Sequence, residues 1–99
     1  NVADYSKRIF RMFSGETEMV KLQFDNSLIN VVIDRFGKDI VINKQHDDHF
    51  TITVDVVATN TFLGWLFMFG DKVKILSPET LKDKMIKALK ELDVMYNVF

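Results

Sequence analysis

Histidine and carboxylate side chains stand together at one place in this sequence, His46-Asp47-Asp48-His49. Two imidazoles and two carboxylates could coordinate a divalent metal ion. These residues nevertheless belong to a polar stretch, 44–49, which has the composition of a hairpin connection and offers no second layer of groups to hold metal ligands in position. We therefore expect a solvated turn here, with no bound metal and no cofactor.

Motifs for catalysis are missing from the sequence. It contains no cysteine, which excludes thiolate zinc sites, disulfides and cysteine nucleophiles. It also contains no Ser-His-acid arrangement, phosphate loop or glycine-rich dinucleotide turn. Small α+β phosphatases need an arginine after the first strand, whereas Phe24-Asp25-Asn26-Ser27 carries an acid there, which would repel phosphate. We expect a protein that is not an enzyme.

Hydrophobic periodicity predicts the strands and helices that position the polar groups. Period-two alternation and short β-branched runs predict four strands, over 18–24, 40–43, 50–57 and 72–76. Apolar residues at helical spacing predict two internal helices, over 28–36 and 62–69. Asp25 or Asn26 can cap the first helix and Thr59 or Asn60 the second, and glycines at 37 and 70 would end them.

A further helix is predicted at each end of this pattern. Ser77-Pro78-Glu79 predicts the start of a long final helix, because a serine hydroxyl can cap and proline suits the first helical position. Its predicted buried stripe consists of Leu81, Met85, Ala88, Leu89 and Leu92. Residues 4–13 predict a short connector helix that packs against the domain and is stopped by Ser14-Gly15.

The order of these elements predicts an α+β fold of ferredoxin-like type, βαββαβ. Two right-handed crossovers place both internal helices on one face of an antiparallel sheet. We divide the chain into a connector, 1–15, and a domain, 16–99. Its 99 residues, 47% hydrophobic and 27% charged, suit one soluble domain.

The opposite, open face of the predicted sheet is polar. RNA-recognition motifs stack bases on aromatic rings of this face, whereas here Phe24 and Phe50 alternate to the buried side. The net charge of −1 also disfavours strong autonomous binding of nucleic acid. The face is either an ordinary wet surface or one that another domain, a second subunit or a short nucleic acid covers. Its predicted residues are Met19, Lys21, Gln23, Thr51, Thr53, Asp55, Val57, Lys72, Lys74 and Leu76.

The second internal helix has almost no polar stripe. A helix that is apolar all round is usually buried on more than one side. Either the two terminal helices cover its outer side, or a partner chain does, and we favour a protein interface at Phe62, Trp65 and Phe69. The apolar run 62–69 is far short of the roughly 20 residues that span a bilayer, so we expect a cytoplasmic protein.

Several segments resemble a known family when taken together. Residues 13–16 (FSGE), 20–25 (VKLQFD) and 32–37 (VIDRFG) look like the WYL C-terminal extension, or WCX, and so does the closing helix up to Tyr96. Gly64-Trp65-Leu66 with the run 69–79 (FGDKVKILSPE) is similar to the most recognisable segment of that family.

The resemblance implies the C-terminal part of a bacterial transcriptional regulator. In that family a winged helix-turn-helix domain reads DNA, a WYL domain senses a ligand, and the extension helps to form dimers. Neither upstream domain is found in this sequence, which lacks a starting Met, so we read the chain as a fragment. The resemblance implies a homodimer that contacts DNA only through the parent protein and responds to an effector, which in some members is single-stranded nucleic acid.

Candidate residues for effector or interdomain contact follow from the resemblance. They are Lys21, Gln23, Arg35 and Lys74. Arg35 has an alternative role, because beside Asp34 it can cap or brace the end of its helix. The competing hypothesis is a binding module for single-stranded nucleic acid or a small ligand, which uses the open sheet face.

Overall fold

The computed structural model describes residues 16–44 and 47–97, so the predicted connector helix over 4–13 lies outside the described residues. Two short 3-10 turns, Asn26–Leu28 and Gly70–Lys72, accompany the main elements. In chain order, these elements are β1 (Thr17–Asp25), α1 (Ile29–Phe36), β2 (Ile42–Asn43), β3 (His49–Val57), α2 (Asn60–Phe67), β4 (Val73–Ser77) and α3 (Glu79–Tyr96). The described chain is an α+β domain with a four-stranded sheet and three helices.

The sheet has the strand order β2-β3-β1-β4, and every neighbouring pair is antiparallel. Strands β1 and β3 form its centre and pair over their full lengths, with Leu22 opposite Ile52 and Phe24 opposite Phe50. The β1–β4 pairing shifts register between Lys21 and Leu22. Edge strand β2 has two residues, shorter than the predicted strand 40–43.

The core lies on one face of the sheet, as the period-two alternation predicts. Alternate residues of β1 and β3 are buried, and side chains from all three helices complete the cluster. The fully or nearly buried members are Val20, Leu22, Phe24, Val32, Phe50, Ile52, Val54, Phe62, Leu63, Leu66 and Leu81. Thr51 departs from the pattern: predicted on the open face, it is 2% exposed, and its hydroxyl donates a hydrogen bond to the Asn43 carbonyl of β2.

Thr59 is confirmed as the cap of α2, whereas Asp25 caps the 3-10 turn Asn26–Leu28 before α1, and α1 itself has no side-chain cap. The Asp25 carboxylate accepts a hydrogen bond of 2.9 Å from the Ser27 backbone N–H at the turn that leads into α1. The Thr59 hydroxyl accepts one of 3.3 Å from the Phe62 N–H at the start of α2. Gly37 follows α1 with a φ of 91°, a conformation that L side chains rarely adopt.

The prediction for the start of α3 was wrong in detail. The N-cap residue is Pro78, one position later than the predicted cap Ser77, and no side chain caps the helix. Ser77 is instead the last residue of β4.

The predicted buried stripe of α3 was also wrong beyond its first turns. Leu81 is 1% exposed and Met85 packs against the core, but Leu89 and Leu92 are 42% and 45% exposed. Eighteen helical residues span about 27 Å, whereas the five residues of β4 span about 17 Å. The later turns of α3 therefore extend beyond the end of β4 and are not covered by the sheet.

In the described part of the chain, no helix is both long and apolar enough to cross a membrane.

Candidate functional site

Three of the four predicted contact residues share the open face of the sheet. Gln23 of β1 lies directly opposite Thr51 of β3 on one side and Lys74 of β4 on the other. Lys21 lies two residues along the same strand and therefore points to the same face. Directly opposite residues have Cβ atoms roughly 4.5–5.5 Å apart, so one ligand could contact Gln23 and Lys74 together.

Carboxylates accompany these lysines. A depression of about 330 Å³ at this end of the sheet is lined by Gln23, Asp25, Asp48, His49, Asp71, Lys72, Val73 and Lys74. The hydroxyl and backbone N–H of Ser27 donate to Asp25 and hold the pKa of its carboxyl below the usual range, with a weaker contribution from the charge of Lys72. Asp25 is therefore anionic at neutral pH. Acids and lysines nearly balance here, so the face attracts polyanions only weakly.

The predicted polar hairpin is solvent-facing where the structure describes it. Asp47 and Asp48 are exposed, and His49 Nδ1 lies 2.9 Å from an Asp48 carboxylate oxygen. His46 lies outside the described residues. Within residues 16–44 and 47–97, no three His, Cys, Asp or Glu side chains are placed to hold a metal ion.

Arg35 lies away from the other three contact candidates. It is near the end of α1, and its guanidinium carbon is 5.4 Å from the centroid of the Trp65 ring of α2. This distance is within the roughly 6 Å of a cation–π contact. The structure therefore pairs Arg35 with an aromatic ring on the helical side of the sheet.

Trp65 is the centre of an aromatic cluster between α1 and α2. Its ring centroid is 5.1 Å from that of Phe69 and 5.6 Å from that of Phe36, both in edge-to-face geometry. Phe24 and Phe62 are slightly farther, at 6.2 and 6.3 Å. Such arrangements are the favoured ones for aromatic pairs.

The predicted interface residues differ in how much surface they offer. Phe62 is 4% exposed and belongs to the core, while Trp65 and Phe69 are half-buried. The large apolar side chains exposed at the C-terminal end of α2 are Phe67 and the adjoining C-cap residue Met68, which are 61% and 66% exposed. Sequence reasoning missed this pair because a helix that is apolar on every side has no periodicity to indicate its outer face.

Two apolar grooves flank α3, and neither was predicted. The outer groove, about 380 Å³, lies between α2 and α3. The edge groove, about 620 Å³, lies between α3 and the sheet edge at β4, where Ile86 and Leu89 are half-exposed. The sequence did contain a signal for an apolar groove along α3. Apolar residues at 85, 88, 92 and 95 form a stripe at helical spacing, and this stripe continues beyond the part of α3 that the domain covers.

Comparison with known proteins gives one family. The model of the WCX domain matches residues 16–92, most of the chain and nearly all of the described region. No curated protein matches the chain. The matched range includes β1 to β4, both internal helices and most of α3. The chain therefore belongs to the WCX domain family.

Proposed function

We propose that this chain is the C-terminal regulatory and dimerisation domain of a bacterial, cytoplasmic WYL-type transcriptional regulator and has no enzymatic activity of its own. Membership of the WCX family supports this assignment. In this proposal residues 1–15 connect the domain to an upstream WYL domain, and a helix-turn-helix domain of the parent protein contacts DNA. The domain contributes to oligomerisation and to the effector response.

We assign the fold to the ferredoxin-like type. In that arrangement the two central strands are the first and third, and each βαβ crossover passes over one neighbour. The order β2-β3-β1-β4, with β1 and β3 at the centre, supports this assignment. The core on one face and the polar residues on the other agree with it.

The observation that carries the dimerisation proposal is the exposed apolar end of α2. Phe67 and Met68 present large apolar side chains to solvent at the C-terminal end of α2, where Trp65 and Phe69 are half-buried. Aromatic residues and methionine are enriched in protein interfaces, and contiguous exposed apolar surface marks interaction sites. We call these four residues the α2 patch. A second copy of the domain would remove the α2 patch from water.

Light scattering on the purified chain tests the proposal. Met68→Glu places a charge in the α2 patch and should convert a dimer into a monomer, because burial of an unpaired charge is unfavourable. Val41→Glu is the matched control and should leave the molecular mass unchanged. Val41 is also an exposed apolar residue, 70% accessible, but it lies just before edge strand β2 and outside the α2 patch. A wild-type chain that is monomeric at high concentration would refute self-association through this domain.

A second function is favoured by the register of the open face. Lys21, Gln23 and Lys74 lie on that face together, and proteins that bind single-stranded nucleic acid use such neighbouring cationic and polar groups to contact its phosphate backbone. Because carboxylates nearly balance these lysines, we expect weak binding that falls steeply with salt.

Fluorescence titration with labelled oligonucleotides tests this alternative. Lys21→Ala and Lys74→Ala should each weaken binding, whereas Lys87→Ala on α3 should not, because Lys87 lies outside the open face. No binding of short oligonucleotides at low salt would count against the alternative for this domain.

A further inference from the structure

The face of α3 that borders the edge groove is apolar at its middle and accessible to water. Ile86 and Leu89 are 48% and 42% exposed, and they line the edge groove together with Phe67 of the α2 patch. The α2 patch and this face of α3 therefore meet at one groove. We call the face the α3 seam and define it by Glu79, Lys82, Ile86, Leu89, Asp93 and Tyr96.

The α2 patch alone is too small for a stable dimer. An interface of standard size buries about 800 Å² on each partner. One large aromatic side chain supplies about 150–250 Å² when it passes from full exposure to full burial. Trp65 and Phe69 are already half-buried, so the four residues of the α2 patch fall short of this area. A second copy that covers the patch must also cover adjoining surface, and the α3 seam adjoins the patch at Phe67.

The spacing of the α3 seam is that of paired helices. Its members are alternately three and four residues apart, as the a and d positions of a heptad are. The seam is also symmetric about its midpoint, which lies between residues 87 and 88. A two-fold axis through this midpoint would place 86 opposite 89, 82 opposite 93, and 79 opposite 96 of a second copy.

The residues that this axis brings together are complementary. Ile86 meets Leu89 at the centre, and Lys82 meets Asp93 of opposite charge on each side. A parallel pair of helices would instead place Lys82 against Lys82 and Asp93 against Asp93, and such contacts between like charges are unfavourable. The charge pattern of α3 therefore fits a second α3 in the antiparallel direction.

The polar members of the seam keep the capacity for these contacts. Lys82 donates a 3.0 Å hydrogen bond to Glu79, but an ammonium group has three N–H donors. Asp93 accepts a bond from the Asn97 amide through Oδ1, and a carboxylate has two accepting oxygens. Tyr96, opposite Glu79, is 80% exposed, and its hydroxyl can donate to a carboxylate.

A second pair of charges flanks the α3 seam on its outer side. Asp83 and Lys90 are exposed and lie beside Ile86 in a depression on that side of the helix. In the antiparallel register, Asp83 and Lys90 of the second copy are offset by two residues, about 3 Å along the axis, within reach of a lysine side chain. Two-fold symmetry forms each such pair twice.

We propose that a second copy of this chain packs its α3 antiparallel against the α3 seam, and that the pairs Lys82–Asp93 and Asp83–Lys90 select this orientation. The inference rests on the proposed dimerisation function. It deepens that function, because it names the surface and the direction in which the copy that covers the α2 patch is held. Complementary charges contribute orientation and specificity more than affinity.

An exchange of charges tests the flanking pair. Asp83→Lys and Lys90→Asp, each made alone, should raise the dimer dissociation constant in light scattering about tenfold, because two attractions become repulsions. The double variant should return the constant to within about twofold of the wild type, since the exchange regenerates both pairs. Lys87→Asp is the matched control: Lys87 lines the same depression and loses the same charge, but it lies outside both proposed pairs, so the constant should not change.

Disulfide trapping tests the direction of the helices, and the chain contains no cysteine of its own. Ile86→Cys and Leu89→Cys chains are mixed and oxidised with oxidised glutathione. Antiparallel pairing should give mainly the mixed disulfide, because 86 lies opposite 89 of the second copy. An excess of disulfides between identical chains would indicate parallel helices and overturn the proposal.

The same measurements separate this proposal from dimerisation as such. A wild-type dimer whose dissociation constant is unchanged in both single charge variants would refute the α3 pairing only, and dimerisation through the α2 patch would stand. Single variants that the double variant does not rescue would also overturn the pairing. A monomeric wild type would refute dimerisation and, with it, the pairing. Thermal unfolding of each variant confirms that the domain remains folded.

Discussion

Arg35 was predicted as an effector contact, but its position over Trp65 predicts a measurable role in stability. The perturbation is a double-mutant cycle with Arg35→Gln, Trp65→Leu and the two changes together. Glutamine keeps much of the aliphatic stem of Arg35 but removes its charge. Leucine keeps part of the apolar volume of Trp65 but removes the ring face. The cycle isolates the contact between the two side chains from the separate effects of each substitution.

The expected magnitudes follow from the geometry. An exposed guanidinium at 5.4 Å from a ring centroid contributes about 0.5–1 kcal/mol, so Arg35→Gln should lower the free energy of unfolding by that amount. Trp65→Leu should cost about 2 kcal/mol, because several edge-to-face or stacked ring pairs worth about 0.5–1.5 kcal/mol each are lost and leucine recovers part of the apolar contact. The coupling energy should equal the cation–π contribution, about 0.5–1 kcal/mol.

Urea unfolding followed by circular dichroism measures these quantities without using tryptophan fluorescence, which Trp65→Leu would remove. Lys38→Gln is a suitable control, since Lys38 is an exposed cation in the turn just after α1. Its coupling to Trp65→Leu should be near zero. A coupling energy for Arg35 and Trp65 that equals the control value would refute the inference that the guanidinium uses the ring, and Arg35 would then be free for an effector.

Two further predictions concern the core and the turn into α1. Leu66→Ala should lower the free energy of unfolding by about 2–5 kcal/mol, because Leu66 is 1% exposed. Leu89→Ala should lower it by less than about 1 kcal/mol, because Leu89 is 42% exposed. Equal losses of unfolding free energy in chemical denaturation would contradict this assignment of the core. The lowered pKa of Asp25 means that its contribution to stability is present above the pKa of the unfolded chain and is lost as pH falls through the folded value. Melting temperatures between about pH 5 and pH 2 should therefore fall more for the wild type than for Asp25→Ala, and parallel curves would show that the bonds from Ser27 do not stabilise the fold.

Local patterns in the sequence were sufficient for the three longer strands, the two internal helices and the cap of α2, whereas β2 is shorter than predicted. Alternation over 18–24 and 50–57 specified which side chains of β1 and β3 are buried, because a one-residue change in register would move every apolar residue to the other face. Thr59 and Asp25 were identified as caps from residue type and position alone. The family was also accessible from the sequence, since the resemblance rests on the order of short segments.

Tertiary structure decided how those elements meet. The contact of Arg35 with Trp65 depends on how α1 packs beside α2, and the local sequence of α1 does not contain that information. The exposure of Phe67 and Leu92 depends on where the neighbouring elements end, because an apolar side chain is buried only where another element is long enough to cover it. Periodicity is a property of one segment, whereas burial and site geometry are properties of pairs of segments.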